Sequence, residues 1–194
     1  MNEESKYESA WKTGLEQNSR TALPFAEFIA KMNYKGSMLD LGCGNGLVVS
    51  CLHSKGCDIR GVDITLAGLD MEYRHYGNGI LPGPPPSREL FVKAPLWDLP
   101  FEDGEFDFTF SCDVLEHIPP DKVGEVLKEI CRVSKQRTYH IIATFKHLDL
   151  HPTVQPISWW LQQFGRANKK KCQVECVSRR DFLFRHTGYL EVGL

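Results

Sequence analysis

Residues 38 to 46 read MLDLGCGNG: Met38, Leu39, Asp40, Leu41, Gly42, Cys43, Gly44, Asn45 and Gly46. Apolar residues flank one aspartate, and three glycines then alternate with other residues. A short buried strand that runs into glycines and then into a helix, here GLVVSCLHSKG (46–56), brings backbone N–H groups and a helix N-terminus against a ligand. The ligand is narrowed by the spacing. A dinucleotide pyrophosphate calls for G-x-G-x-x-G, whose third glycine allows close helix packing. Gly42, Gly44 and Gly46 fall one residue short of that pattern. Asp40, two positions before the first glycine, would oppose a pyrophosphate but can receive an ammonium group. The turn therefore favours a cationic ligand without phosphates and disfavours an NAD-type oxidoreductase.

The next apolar run, CDIRGVD (57–63), is predicted as a second strand. It ends in Asp63, about twenty residues past the turn, where a carboxylate can accept both hydroxyls of a ribose. Alone, Asp63 also reads as a turn or capping aspartate; behind Asp40 and the glycines the ribose reading prevails. Upstream, TALPFAEFIAKM (21–32) has helical apolar spacing and is expected to cover a sheet face or cap the site. Downstream, TLAGLDMEYRHYG (65–77) is predicted as a helix with Thr65 as N-cap, and NGILPGPPPSRE (78–89) as a loop. ELFVKA, EFDFTFSCD and RTYHIIATF read as the third, fourth and fifth strands. DKVGEVLKEICRVS reads as an amphipathic helix from Asp121, and ISWWLQQF as another helix. The end, QVECVSRRDFLFRHTGYLEVGL (173–194), holds two β-rich stretches able to pair. Strands alternating with helices give an α/β three-layer sandwich.

With 23 basic and 25 acidic side chains the net charge is −2, which exerts no global pull on nucleic acid or an anionic membrane. The one local excess, Arg166 to Arg185, reads as a solvated face, with a phosphorylated acceptor as the minority reading. MNEESKYESAWK lacks an apolar leader segment, and no run nears the roughly 18 apolar residues of a membrane span, so a cytoplasmic location is expected. Seven scattered cysteines, an odd number, fit reduced thiols, and the lone Cys172-x-x-x-Cys176 is not expected to bind zinc.

Taken in order, MLDLGCGNG, GVDI and WDLPFEDGEFDFTFSCDVLEHI (97–118) resemble the motifs of class I S-adenosylmethionine-dependent methyltransferases, over roughly residues 20 to 150. The resemblance implies a Rossmann-like sandwich with a mostly parallel seven-stranded sheet and a C-terminal antiparallel strand pair. It implies one methyltransferase domain over 1–194: a helical cap (1–35), a cofactor-binding core (36–147), and an acceptor-side helix with closing strands (148–194). The cofactor is then S-adenosylmethionine. Gly42, Cys43 and Gly44 would meet its amino acid portion, Asp40 its ammonium, Asp63 the ribose, and Ile64 would pack beside the adenine. Where many relatives carry an adenine-binding aspartate before LPF, this chain has Pro95. Adenine recognition then falls to Leu96 and Trp97, or to Asp98; Trp97 reads also as ordinary core packing. Asp113 would line the methionine end.

Methyl transfer is an in-line displacement at the sulfonium carbon, so the protein mainly aligns the acceptor and, for a hydroxyl, removes its proton. The candidate bases are His117 in DVLEHI and His147 and His151, with Asp149, in the loop KHLDLHP. His117 reads also as a structural group bonded to backbone, and the loop histidines as solvated polar residues. No metal is expected, because H-x-x-x-H in that loop lacks a helix to set its geometry. Trp159 and Trp160 point about 100° apart on a helix, so only one can be fully core and the other is free to flank an acceptor. HPTVQPISWWLQQF resembles a segment of methyltransferases of surface-polysaccharide pathways. The expected acceptor is therefore a small-molecule or glycan hydroxyl, with no membrane partner and nucleic acid disfavoured. The alternatives are a non-catalytic cofactor-binding regulator and a methyltransferase of RNA or protein.

Overall fold

The computed structural model of the chain describes residues 2–13, 21–70, 87–145, 150–169 and 172–187. MLDL forms β1 (Met38–Leu41), and all its residues are buried, as a strand covered on both faces requires. On one side lie β2 (Ile59–Asp63) and β3 (Phe91–Lys93). On the other lie β4 (Phe106–Cys112), β5 (Ser134–Ile142) and β6 (Gln173–Ser178). The six-stranded sheet runs β3-β2-β1-β4-β5-β6, and every pairing is parallel. The strand order reverses between β1 and β4, and in such sheets the crevice at the carboxyl ends beside the reversal is where ligands collect.

Helices cover both faces. α2 (Ala22–Lys31), α3 (Leu47–Ser54) and α6 (Arg179–Thr187) pack on one, around Phe25, Ile29, Val49, Phe108, Phe110 and Phe182. α4 (Val123–Val133) and α5 (Ile157–Ala167) pack on the other, around Phe106, Leu127, Ile130, Trp160 and Phe164. In α4 the buried Val123, Val126, Leu127 and Ile130 recur at three- and four-residue spacing, which explains both the helix and its docked face. A register shift between Phe106 and Phe108 lets two aromatics of one strand serve opposite cores. On the α5 side β4 and β5 carry a buried polar ladder. Ser134 Oγ donates to Ile130 O (2.6 Å) and lies 2.7 Å from Thr109 Oγ1, which donates to Thr138 Oγ1 (2.8 Å). His140 then bridges Thr138 and Ser111, each at 2.7 Å, and stacks on Phe164.

Three expectations change. The described residues hold six strands where seven were expected; of the stretch expected to form a C-terminal antiparallel pair, QVECVS is β6, parallel to β5, and 179–187 are α6, while 188–194 lie outside the described residues. The cause is local: Ser178 Oγ accepts from the Asp181 amide (3.1 Å) and donates to the Asp181 carboxylate (2.6 Å), which caps a helix at SRRD. Within the segment 1–35 the two described helices take different places. α1 (Glu3–Thr13) packs beside the sheet's carboxyl edge, whereas α2 covers a face. After Thr65, whose Oγ1 accepts from the Ala67 amide (3.2 Å), the described chain makes a 3₁₀ turn, Ala67–Asp70; the rest of the expected helix and the proline-rich loop lie outside the described residues. All seven cysteines are free thiols, as expected. Among the described residues no helix is long and apolar enough to cross a membrane.

Candidate active site

The turn after β1 is pinned to β2, since the amides of Gly42 and Cys43 both donate to Val62 O (2.8 and 3.0 Å). Gly42 and Gly44 adopt φ of 74° and 54°, a region that L side chains disfavour. A Cβ at Gly42 would stand 2.6 Å from Val114, and one at Gly44 would stand 3.0 Å from the Trp11 ring. Bare backbone is therefore required here. Asp63 closes the turn from β2: its Oδ2 accepts from the Gly44 amide (2.9 Å) and its Oδ1 from the Thr65 amide (3.2 Å).

Burial pushes Asp63 up to about 6, against the lowering effect of the Gly44, Thr65 and Ile64 amides. Burial, then the neighbouring Asp63, pushes Asp40 up to about 8. At neutral pH Asp40 is therefore mostly protonated, and Asp63, which stays mostly ionised, is the acidic group that faces the cleft and suits a positively charged ligand. This fits S-adenosylmethionine, whose ammonium and sulfonium are both cationic.

Above them a cleft opens toward solvent. Gly42, Gly44, Asp63, Ile64, Leu96, Trp97, Asp113 and His117 all line it. Leu96 and Trp97 thus stand where Pro95 had left the adenine question. Their loop is clamped from α4: Arg132 donates to Leu99 O (2.9 Å) and Phe101 O (2.7 Å), and Glu129 accepts from the Leu99 amide (2.9 Å). Asp113 sits at φ 56° after β4, with Arg179 Nε 3.6 Å from its carboxylate.

Other expected residues lie off the wall. Asp40 is only 3% exposed, inside β1. The Cys43 thiol packs toward Gly61 and is pushed well up by burial, with Asp63 and Asp40 adding to it. Asp98 points to solvent. Trp160 is fully core and Trp159 packs partly buried against the same cluster; neither lines the cavity. His151 is not on the wall but stands edge-on to His117, ring centroids 4.6 Å apart. His147 and Asp149 lie outside the described residues.

Two contributors escaped the sequence reading. Glu3, Tyr7 and Trp11 of α1 form a further wall of the cavity. Their spacing of four, with two aromatics in a polar run, was the available signal. Tyr7 Oη donates to His117 O (3.3 Å), and Glu4 pairs with Lys93 at the end of β3, so α1 spans the cleft. The second is Glu116, fully buried, whose Oε1 accepts from the Ala143 amide (3.0 Å) at the end of β5. Burial, then Asp113, holds its carboxyl well above the usual range.

A parallel α/β sheet with a glycine turn after β1 and a carboxylate at the end of β2 is the arrangement of nucleoside-binding α/β proteins. The comparisons agree. Residues 39–142 match the methyltransferase domain family. Ajmaline N-methyltransferase of Rauvolfia serpentina is 32% identical over 138 residues, 70% of this chain and 45% of the relative. The chloroplastic tocopherol O-methyltransferase of Arabidopsis thaliana is 29% identical over 126 residues, 64% of this chain and 34% of the relative. The crystal structure of Burkholderia thailandensis 1,6-didemethyltoxoflavin-N1-methyltransferase, with that compound and S-adenosylhomocysteine bound, shares the fold. Its TM-score is 0.54 at 19% identity, over 75% of this chain and 62% of that one. The chain spans about half or less of the length of the curated relatives it matches. It belongs to the S-adenosylmethionine-dependent methyltransferase family.

Proposed function

We propose that the protein transfers the methyl group of S-adenosylmethionine to a hydroxyl of a small-molecule or glycan acceptor. One observation carries this reading. A single cavity is lined both by the glycine turn with Asp63 and by His117, against whose ring His151 stands. The Gly42 and Gly44 backbone receives the amino acid portion of the cofactor, Asp63 the ribose, and Ile64, Leu96 and Trp97 the adenine. Asp113 borders the methionine end, and the buried Asp40, mostly protonated at neutral pH, gains its charge only as the ammonium comes near. Bound there, the cofactor supplies an electrophilic methyl carbon that already carries its leaving group. The remaining task is to align the acceptor oxygen and give its proton a place to go, and the His117–His151 side of the cavity is suited to both.

A specific observation favours a second reading, an amine acceptor, since the Rauvolfia relative bears the name of an N-methyltransferase. Turnover on a matched panel of hydroxyl and amine compounds separates the two. Calorimetry comes first: S-adenosylmethionine and S-adenosylhomocysteine should bind at micromolar concentration, and NAD should not. Asp63→Ala should weaken that binding more than tenfold, because ribose hydroxyls lose their acceptor in a cleft. Unchanged affinity would remove Asp63 from the site, and methylation confined to amines would overturn the hydroxyl reading.

A further inference from the structure

His117, at the cavity wall, and His151, in the segment after β5, are far apart in the chain, yet their rings meet edge-on with centroids 4.6 Å apart and planes at 75°. Glu116 completes a group. One ligand atom from each of Glu116, His117 and His151 lies within 4.8 Å of the other two. Bonds of about 2.0–2.2 Å to a central ion place ligand atoms roughly 3–4 Å apart, so small side-chain rotations close the set.

Two independent observations point to a cation at this spot. The first is Glu116 itself. It has no exposed surface, and while Oε1 accepts from the Ala143 amide, Oε2 has no hydrogen-bond partner among the described residues. A buried carboxylate oxygen left in that state is costly, and a metal ion is one of the few partners that compensates it. The second is the orientation of His151. Its Nδ1 lies 2.9 Å from Phe145 O, and since a carbonyl only accepts, Nδ1 is the donor. That fixes Nε2 as the nitrogen with the lone pair, the arrangement that holds metal-ligating histidines in place. The nearby cation, Arg179, lies 3.6 Å from Asp113 and over the Phe145 ring, and its charge also reaches Glu116.

We propose that Glu116, His117 and His151 bind one divalent transition-metal ion at the acceptor end of the cavity. Two imidazoles and a carboxylate suit zinc, cobalt or iron(II) rather than magnesium, which prefers oxygen ligands. His117 and His151 are only partly buried, and His117 lines the cavity. The proposal rests on the hydroxyl reading for its role. An acceptor hydroxyl bound to the ion loses its proton to solvent water, its oxygen forms the new bond to the methyl carbon, and the carbon–sulfur bond breaks with both electrons on sulfur. The histidines then act through the ion, not as bases. This departs from the sequence expectation of no metal. That expectation weighed only H-x-x-x-H within one loop, whereas the sheet brings His151 to a Glu-His pair elsewhere.

The test is cobalt titration of the chelator-treated full chain. We expect saturable binding of one cobalt(II) per chain, with visible bands of nitrogen and oxygen ligation and two hyperfine-shifted imidazole N–H resonances in the proton spectrum. Millimolar magnesium should not displace it. His151→Ala and Glu116→Gln should each weaken cobalt binding at least tenfold while S-adenosylhomocysteine still binds, which shows the variants folded. No saturable cobalt binding to wild-type protein that binds S-adenosylhomocysteine overturns the site. So do fewer than two shifted imidazoles, or the intense near-ultraviolet bands of thiolate ligation by Cys131, Cys172 or Cys176. Cobalt binding in a protein that methylates only amines would overturn the hydroxyl reading and leave the metal site standing.

Discussion

Acid should weaken this fold through one side chain in particular. His140 is fully buried between Ser111 and Thr138, and burial pushes its pKa from 6.5 down to about 3. In the unfolded chain the imidazole takes a proton below about 6.5, while in the native state it stays neutral until pH 3 is approached. The unfolded state therefore binds more protons across that window, and stability falls as pH falls through it. The loss approaches about 1.4 kcal/mol per pH unit, or about 2.7 kcal/mol by pH 4.5, a large share of the ~5–15 kcal/mol of a typical domain. Asp40, Asp63 and Glu116 work in the opposite sense, because carboxyls held above their usual range favour the folded state as pH falls. Wild-type stability alone would thus blur the effect. His140→Gln keeps a donor and an acceptor at similar reach but does not titrate, so the difference between the two proteins isolates the histidine. Urea unfolding at pH 7.5, 6.5, 5.5 and 4.5 should show the wild-type advantage shrinking by about 2.7 kcal/mol. Parallel pH profiles for the two proteins would refute the reasoning.

Gly42→Ala forces a side chain into φ 74° and against Val114 at 2.6 Å, and should cost about 2–4 kcal/mol of stability in a thermal melt. A melt unchanged from wild type would mean the turn is not as constrained as its neighbours imply. Trp11→Ala removes the indole that lies over Gly44 and should weaken S-adenosylhomocysteine binding about tenfold, roughly 1.4 kcal/mol, by calorimetry. Unchanged affinity would place α1 outside the binding unit.

The centre of the fold was legible because its signals are local. A buried run, a glycine turn and an amphipathic helix repeat within β1, α3 and β2, and Asp63 follows at a fixed remove. Leu96 and Trp97, expected near the cofactor because Pro95 replaced the usual acceptor, both line the cavity. The C-terminal stretch misled, because Phe182 and Leu183 look like strand residues although Ser178 and Asp181 carry a capping pair that starts a helix. Here the short polar signal outweighed the apolar one, and Phe182 then filled the aromatic cluster beside Phe25 and Phe28. Glu116 was hidden for want of any linear cue. Its neighbour His117 drew attention in LEHI, yet its burial follows from β4 and β5 lying side by side, and its meeting with His151 does too. α1 stayed obscure because a helix that covers a cavity rather than a core shows only two aromatics of its docked face.

The way α1 is fastened has a practical consequence. The helix is moored at Lys93 through Glu4 and at His117 through Tyr7, with Trp11 wedged over the glycine turn. An exposed ion pair of this kind contributes little, so the wedge is the main latch. A substitution at Trp11 is therefore felt at the glycine turn and the cavity wall together, whereas one at Glu4 touches only the exposed pair with Lys93.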